Sequence, residues 1–494
     1  MSADAIKQVR AAIAGGDHRL AEQLARSLVA EDATAERYEV LASVLRAQDR
    51  LEEALAAVDQ ALALDAGHIV ALHTRAFILS RLGRYVEALG IYDALLARGV
   101  VQPQVSLNRS VALLGMTRDA DAEISLTEAI ERWPQDVGLQ HMLASLRWMR
   151  GAGSDFARDF EVAVRSRPDA LQLRIALADL LRRADMHAQA EMVLREGLAR
   201  TPTNEAIQGS LGVVLDEMDR TGEALPFLRS ALLAAPSSLP TRGNVVSALL
   251  RLGRADEALR ELGVLRRAQP LNGDWIAYEA MAYRQLGSPL YHDLCDYDLM
   301  VQPFMLEPPR GFSSIGEFNS ALKEVLQGLH VLETHPLDQS LRNGSQTTRS
   351  LLTLDHPIIK LYLEALNEPI RAYIATMKKP HHPWSGRKSQ SFKLSGCWSV
   401  KLKPSGYHVN HLHPEGWISS AYYVSLPEVT KAGAGHEGWI KFGEPRWPTP
   451  GCSVERIVQP EEGKLVLFPS YMWHGTIPFS QGERMTAPFD VIPL

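Results

Sequence analysis

A 34-residue period runs through the first half of this 494-residue chain and constrains its fold more than any other feature. Ala54, Ala88, Ala122, Phe156, Ala190, Ala224 and Ala258 stand one period apart, and Pro134, Pro168, Pro202, Pro236 and Pro270 keep the same step. A second column of small residues runs through Ala42, Ala76, Ser110, Ala144, Ala178 and Gly212. The segments SRLGRYVEAL (80–89) and LRLGRADEAL (250–259) are near copies. Small side chains at fixed positions let helices approach closely. The proline then stops a helix, because it has no N–H to donate and crowds the preceding turn. Aliphatic residues three and four apart, as at Leu177, Leu180 and Leu181, give each helix one apolar stripe. A single helical pair cannot bury such a stripe, so the period predicts a stack of pairs.

The pattern resembles the tetratricopeptide repeat, a helix–turn–helix unit with small residues where its helices cross and a proline near its end. Seven clear units fall between residues 35 and 272, a weaker pair precedes them, and Asp274–Gly287 is predicted as a closing helix. Phe156 in place of Ala, with Gly151 and Gly153 beside it, predicts one distorted repeat. The repeat domain is assigned to residues 1–287. Its conserved-period columns are core, so any partner must use the concave surface, where such solenoids bind peptides or proteins. Asn108 and Asn244 share one helix position, as in the asparagine ladders with which some arrays hold peptide backbones.

A formal charge of −6 with no Lys/Arg tract argues against nucleic acid as a partner. Three widely spaced cysteines (Cys295, Cys397 and Cys452) give neither a disulfide framework nor a CxxC thiolate site, and suggest a reducing compartment. The first 20 residues have no apolar core of a secretion signal, and no apolar run is long enough to span a membrane. The expectation is a cytoplasmic protein with no membrane partner.

After Gly287 the period ends and prolines cluster. Phe318–Leu329 and Ile358–Met377 read as helices within residues 288–390, a linker and helical support. From Ser391 onward, apolar and polar residues alternate between turn signals in SFKLSGCWSVKLK, WISSAYYVSLP, GWIKFGEP, GKLVLFP and TAPFDVIPL. Short strands at this spacing predict a sandwich or barrel. The fold class is therefore multidomain: an all-α solenoid, then a double-stranded β-helix (jelly roll) over residues 391–494.

Within that β region lie His411-Leu412-His413, then His474, then Arg484-Met485-Thr486. On a strand, residues i and i+2 share a face, so His411 and His413 can reach one point. Three ligands on one side of an ion leave positions open for a co-substrate and O₂, as non-haem iron oxygenases require. Residues 300–494, about 40% of the chain, resemble the 2-oxoglutarate/Fe(II) oxygenase superfamily. The nearest resemblance is to a branch with an HxHP motif, often fused to tetratricopeptide repeats. HLHPEGWISSAYYVSL resembles the HxD…YY stretch of prolyl hydroxylases and also aspartyl/asparaginyl β-hydroxylases, which lack the usual carboxylate. GKLVLFPSYMWHGTIP resembles the segment that delivers the distal histidine, and ERMT resembles the RxS/T of the 2-oxoglutarate site.

The resemblance implies Fe(II) held by His411, His413 and His474, with no further catalytic side chain. It places the distal carboxylate of 2-oxoglutarate on Arg484 and Thr486, with Tyr423 lining the pocket and O₂ as co-substrate. A planar guanidinium binds a carboxylate through two parallel hydrogen bonds, which lysine cannot copy. His413 stands where a carboxylate is usual; His413-Pro414-Glu415 is itself an HxE, so Glu415 is an alternative third ligand. His408 lies too early for the ligand pair and is expected to orient a neighbour. Arg342–Thr347 reads as a polar turn near the site. The implied activity is hydroxylation of a side chain on a protein or peptide recruited by the solenoid. The alternatives are a three-histidine dioxygenase independent of 2-oxoglutarate and a repeat scaffold without catalysis.

Overall fold

The computed structural model describes residues 2–431 and 435–494. The first helix of each pair begins at residue 35, 69, 103, 137, 171, 205, 239 or 273, reproducing the sequence period. The chain divides into two compact units, Met1–Leu146 and Arg147–Leu494. The first unit holds the predicted weak pair, Ser2–Ala14 and His18–Glu31, and three regular pairs that end with helix Asp119–Arg132. The division falls within helix Val137–Met149, and the second unit holds the later pairs, the closing helix Gly273–Gln285 and the whole β region.

Local chemistry explains the regularity. Thr34, Asp136, Asn204, Ser238 and Asn272 occupy one repeat position, and each accepts a backbone N–H of the helix that follows. The turn between the two helices of a pair is left-handed at Asp49, Gly83, Thr117, Gly151, Asp185, Asp219, Gly253 and Gly287, one period apart. Glycine takes that conformation without strain and aspartate tolerates it better than most residues. The small-residue columns are buried throughout, from Ala42 to Ala258. The predicted distortion is present: Gly153–Ala157 is a 3₁₀ turn, followed by the short helix Arg158–Ser166. Phe156 fills the alanine position against Trp148, with ring centroids 5.3 Å apart.

The β region contains eleven strands among the described residues. They are β1 (Gln302–Met305), β2 (Leu341–Gln346), β3 (Phe392–Cys397), β4 (Val400–His408), β5 (Ile418–Ser425), β6 (Ile440–Phe442), β7 (Arg456–Val458), β8 (Lys464–Pro469), β9 (His474–Thr476), β10 (Arg484–Thr486) and β11 (Phe489–Pro493). The larger sheet runs β1-β8-β5-β10-β4-β2, with β11 pairing β3 and β5; the smaller runs β7-β6-β9. Every ladder is antiparallel, as a jelly roll requires. Phe442 of the small sheet meets Phe468 of the large one edge to face, 5.0 Å between centroids, so aromatic packing joins the two. On the outer side of β5, Tyr422 donates to Asn319 in helix Ile315–Gln327 and packs on Tyr362.

Two sequence expectations change. Ile358–Met377 is two helices, Pro357–Ala365 and Asn367–Ala375, because Pro369 lacks the N–H that would carry one helix through. Arg342–Thr347 is not a turn: most of it forms edge strand β2 against β4, with Asn343 left-handed where the register shifts. Residues 288–390 thus contribute two strands as well as helices. Cys295, Cys397 and Cys452 are buried free thiols. No described helix is long and apolar enough to cross a membrane.

Candidate metal centre

His411 and His413 lie beyond the end of β4, on the irregular segment that leads into β5, rather than on a strand. The segment is still fixed by the backbone. His411 and His474 exchange both N–H···O bonds in an isolated antiparallel bridge, at 2.8 and 3.0 Å, and His413 N–H donates to Ser470 O at 2.8 Å. One bridge therefore couples the start of β9 to the HxH segment. One nitrogen from each of His411, His413 and His474 lies within 4.8 Å of the others.

Each imidazole has its Nδ1 occupied by an acceptor. His411 Nδ1 donates to Val409 O and His474 Nδ1 to Met472 O, both at 2.9 Å. His413 Nδ1 lies 2.7 Å from Asp490 Oδ2. Carbonyl and carboxylate oxygens can only accept, so the Nδ1 protons are fixed and the Nε2 atoms carry the lone pairs open to a metal, that of His411 lying 3.2 Å from the Ser340 hydroxyl. Burial holds His411 down to about 3 and His474 well below the ordinary histidine range, with the neighbouring imidazoles adding to the effect. Burial also disfavours charge on His413, but the Asp490 charge and hydrogen bond outweigh it and raise that residue. The donor set, three imidazoles with neutral tautomers defined by their partners, fits a divalent transition metal.

Glu415 is exposed and stands outside the cluster. The carboxylate that reaches the centre is Asp490 on β11, whose Oδ1 lies 2.7 Å from Ser419 Oγ; Ser419 Oγ is in turn 2.9 Å from Ser470 Oγ. Sequence reading missed Asp490, although a lone Asp in the apolar stretch PFDVIPL was a usable signal. Ser340, also missed, places Oγ 2.9 Å from His408 Nδ1 and 3.2 Å from His411 Nε2. His408 thus sits beside the cluster, its ring stacked on His411 at 5.9 Å. Trp398 stacks on His413 at 6.3 Å.

The three histidines open into a cavity of about 970 Å³ that Arg484 and Thr486 also line. Arg484 is 2% exposed, pairs with no carboxylate among the described residues, and its Nε has no hydrogen-bond partner. Burying a guanidinium that no carboxylate neutralises is costly. Tyr423 is fully buried with its ring 5.2 Å from the Arg484 guanidinium carbon, so it backs that side chain. It faces the opposite side of β5 from Tyr422, as strand alternation requires.

Residues 396–490 match the family described as "Putative 2OG-Fe(II) oxygenase". No curated protein matches the chain. Among solved structures, a tetratricopeptide repeat protein from Parabacteroides merdae is 19% identical, covering 50% of this chain and 98% of that one at a TM-score of 0.34. A Pseudomonas putida prolyl-4-hydroxylase is 14% identical, covering 40% and 96% at 0.28. The collagen prolyl hydroxylase of Paramecium bursaria Chlorella virus-1, solved with 2OG, is 15% identical, covering 40% and 97% at 0.27. The chain thus joins a helical array with the 34-residue tetratricopeptide period to a C-terminal antiparallel β region that carries the match to the 2OG-Fe(II) oxygenase family model.

Proposed function

We propose that this protein is a 2-oxoglutarate- and Fe(II)-dependent dioxygenase that hydroxylates a side chain of a protein or peptide substrate engaged by the repeat array. The observation that carries the reading is the convergence of three Nδ1-anchored imidazoles beside a buried, unpaired arginine in one cavity. His411, His413 and His474 would hold Fe(II), and Arg484 with Thr486 would hold the distal carboxylate of 2-oxoglutarate. Bound iron with 2-oxoglutarate and O₂ supplies the oxidising power for C–H hydroxylation, at the expense of 2-oxoglutarate, which leaves as succinate and CO₂.

The chain's own residues supply placement. Asp490, Val409 and Met472 keep the imidazole protons away from the metal side and set the ring orientations. Arg484 fixes 2-oxoglutarate through a planar fork, and Tyr423 supports the guanidinium face. Because Arg484 is buried, its attraction for a carboxylate is little screened by water.

Anaerobic addition of Fe(II) and 2-oxoglutarate tests the reading through the visible metal-to-ligand charge-transfer band. The band is expected in the full-length protein and is expected to vanish in His411→Ala and Arg484→Ala. Bound iron without the band would favour a three-histidine dioxygenase, to which the histidine at position 413 is suited. Failure to bind metal would leave a repeat scaffold.

A further inference from the structure

The wall of the metal cavity is not built from the β region alone. Asn272 and Asp274, at the start of the closing repeat helix Gly273–Gln285, line the same cavity as His413 and Arg484. The contact is intimate. Gly273 N–H donates to Pro414 O at 2.7 Å, one residue past His413. A Cβ on Gly273 would stand 3.0 Å from Pro414 Cα and Pro414 O, so only glycine allows this approach. The repeat array thus touches the HxHP segment through backbone, and the next residue, Asp274, lines the cavity.

The Asp274 carboxylate is partly buried and has no hydrogen-bond or ion-pair partner among the described residues. Its backbone N–H is taken by the Asn272 side chain, so the helix cap is complete without it. Burial alone pushes its pKa up to about 6, with no protein cation pulling it back. Of the other carboxylates on this wall, Asp490 is engaged by His413, while Asp338 and Glu415 are exposed to water, so Asp274 is the desolvated carboxylate left without a partner. None of the cations on the wall is paired with Asp274. Arg182 bonds to Asp179 and Glu217, Arg183 to Asp179, and Arg446 lies over the Trp447 ring. A desolvated carboxylate with no donor costs free energy that a ligand cation can recover. Arg484, buried and unpaired in the same cavity, independently marks it as a place built for ligands.

The geometry points to Asp274 as a specificity-determining residue by which the repeat array takes hold of a basic group, an ammonium or guanidinium, on a peptide substrate presented to the metal. This assignment rests on the hydroxylase reading above. It makes the last repeat part of the substrate pocket, and it makes that pocket select for positive charge close to the reacting side chain.

The test uses the full-length protein loaded with Mn(II) and 2-oxoglutarate, and fluorescence anisotropy with four labelled nonapeptide pools. Each pool is N-acetylated and C-amidated, is randomised elsewhere and carries Lys, Arg, Gln or Glu at its centre. The Lys and Arg pools should bind roughly 10-fold or more tightly than the Gln and Glu pools, the range expected for a hydrogen bond to a charged group. Asp274→Asn should remove that preference, and Asp274→Glu should retain most of it. Equal binding of the four pools, preference for the Glu pool, or a Lys/Arg preference that survives Asp274→Asn would each overturn the assignment. Loading is checked separately by the Fe(II)·2-oxoglutarate charge-transfer band in the same preparations. Loss of that band in the unaltered protein would sink the hydroxylase reading, whereas an intact band with no charge preference would sink only the role of Asp274.

Discussion

Asp490→Asn isolates one contribution to the proposed iron site. The substitution keeps side-chain size and leaves an amide oxygen that can still accept the His413 Nδ1 proton, while its NH₂ can face Ser419 Oγ, now 2.7 Å from Oδ1. What disappears is the negative charge 2.7 Å from the ring. A charge-assisted hydrogen bond is about twice as strong as a neutral one, and the carboxylate makes the far nitrogen a better donor to metal. Under the proposed reading Asp490 also returns negative charge to a site otherwise made of three imidazoles. Removing a partner of this kind typically weakens metal binding by roughly 10- to 100-fold, which is about 1.4–2.7 kcal/mol. The assay is anaerobic Fe(II) calorimetry, paired with the melting temperature of the metal-free protein. The metal-free melting point should move by no more than about 2–4 °C, because packing and hydrogen-bond count are retained. An Fe(II) affinity within threefold of the parent would refute the argument, as would a loss of affinity matched by a collapse in metal-free stability.

Two further perturbations probe the scaffold. Gly273→Val forces a branched side chain against Pro414 backbone atoms 3.0 Å from the Cβ position, so it should cost about 1–3 kcal/mol and weaken Fe(II) binding through the displaced HxHP segment; unchanged urea unfolding and metal affinity would show that the contact is dispensable. His335 is buried beside Trp148, and burial, aided by Arg342, holds it down to about 4 from an ordinary 6.5. The unfolded chain therefore binds more protons between pH 6.5 and 4, so stability is full above 6.5 and falls as pH drops through that window, by on the order of 1–3 kcal/mol at the lower end. Urea midpoints for the parent and His335→Gln should converge as the pH falls if this residue is responsible, and parallel curves would exclude it.

Much of the architecture was legible because its determinants are periodic or local. The alanine and proline columns marked helix crossings and helix ends in the array, and the substitutions at Gly151, Gly153 and Phe156 marked the irregular unit. The strands announced themselves by alternation, and the order His411, His413, His474, Arg484 anticipated which side chains share a cavity. The left-handed column at 49, 83, 117 and onward went unread because it mixes Gly, Asp and Thr, so no single residue type repeats. The strand placement of His411 and His413 also failed. Alternation holds their rings on one side, but a single bridge to His474 and the bond to Ser470 O, rather than a ladder, set the backbone there.

The residues that escaped the sequence share a feature. Asp274 reads as an ordinary acid in the first turn of a helix, where the dipole favours one. Asp490 carries no local motif, and Asn108 reads as an outward ligand for peptide. The fold gives each of them a setting that its local sequence does not. Asp274 lines the metal cavity with its carboxylate unpaired among the described residues, and Asp490 is bonded to His413. Asn108 is buried and bonded to His73 and Gln104, so it cannot act with Asn244 as a peptide ladder. Local grammar accounts for a charged residue only until long-range packing assigns it a neighbour. In this chain the last strand delivers the Asp490 carboxylate to the HxHP segment, and the closing repeat brings Asp274 to the wall of the same cavity. Substrate charge selection and metal support would then depend on Asp274 and Asp490 separately, so Asp274→Asn should alter peptide preference at constant Fe(II) affinity and Asp490→Asn should do the reverse.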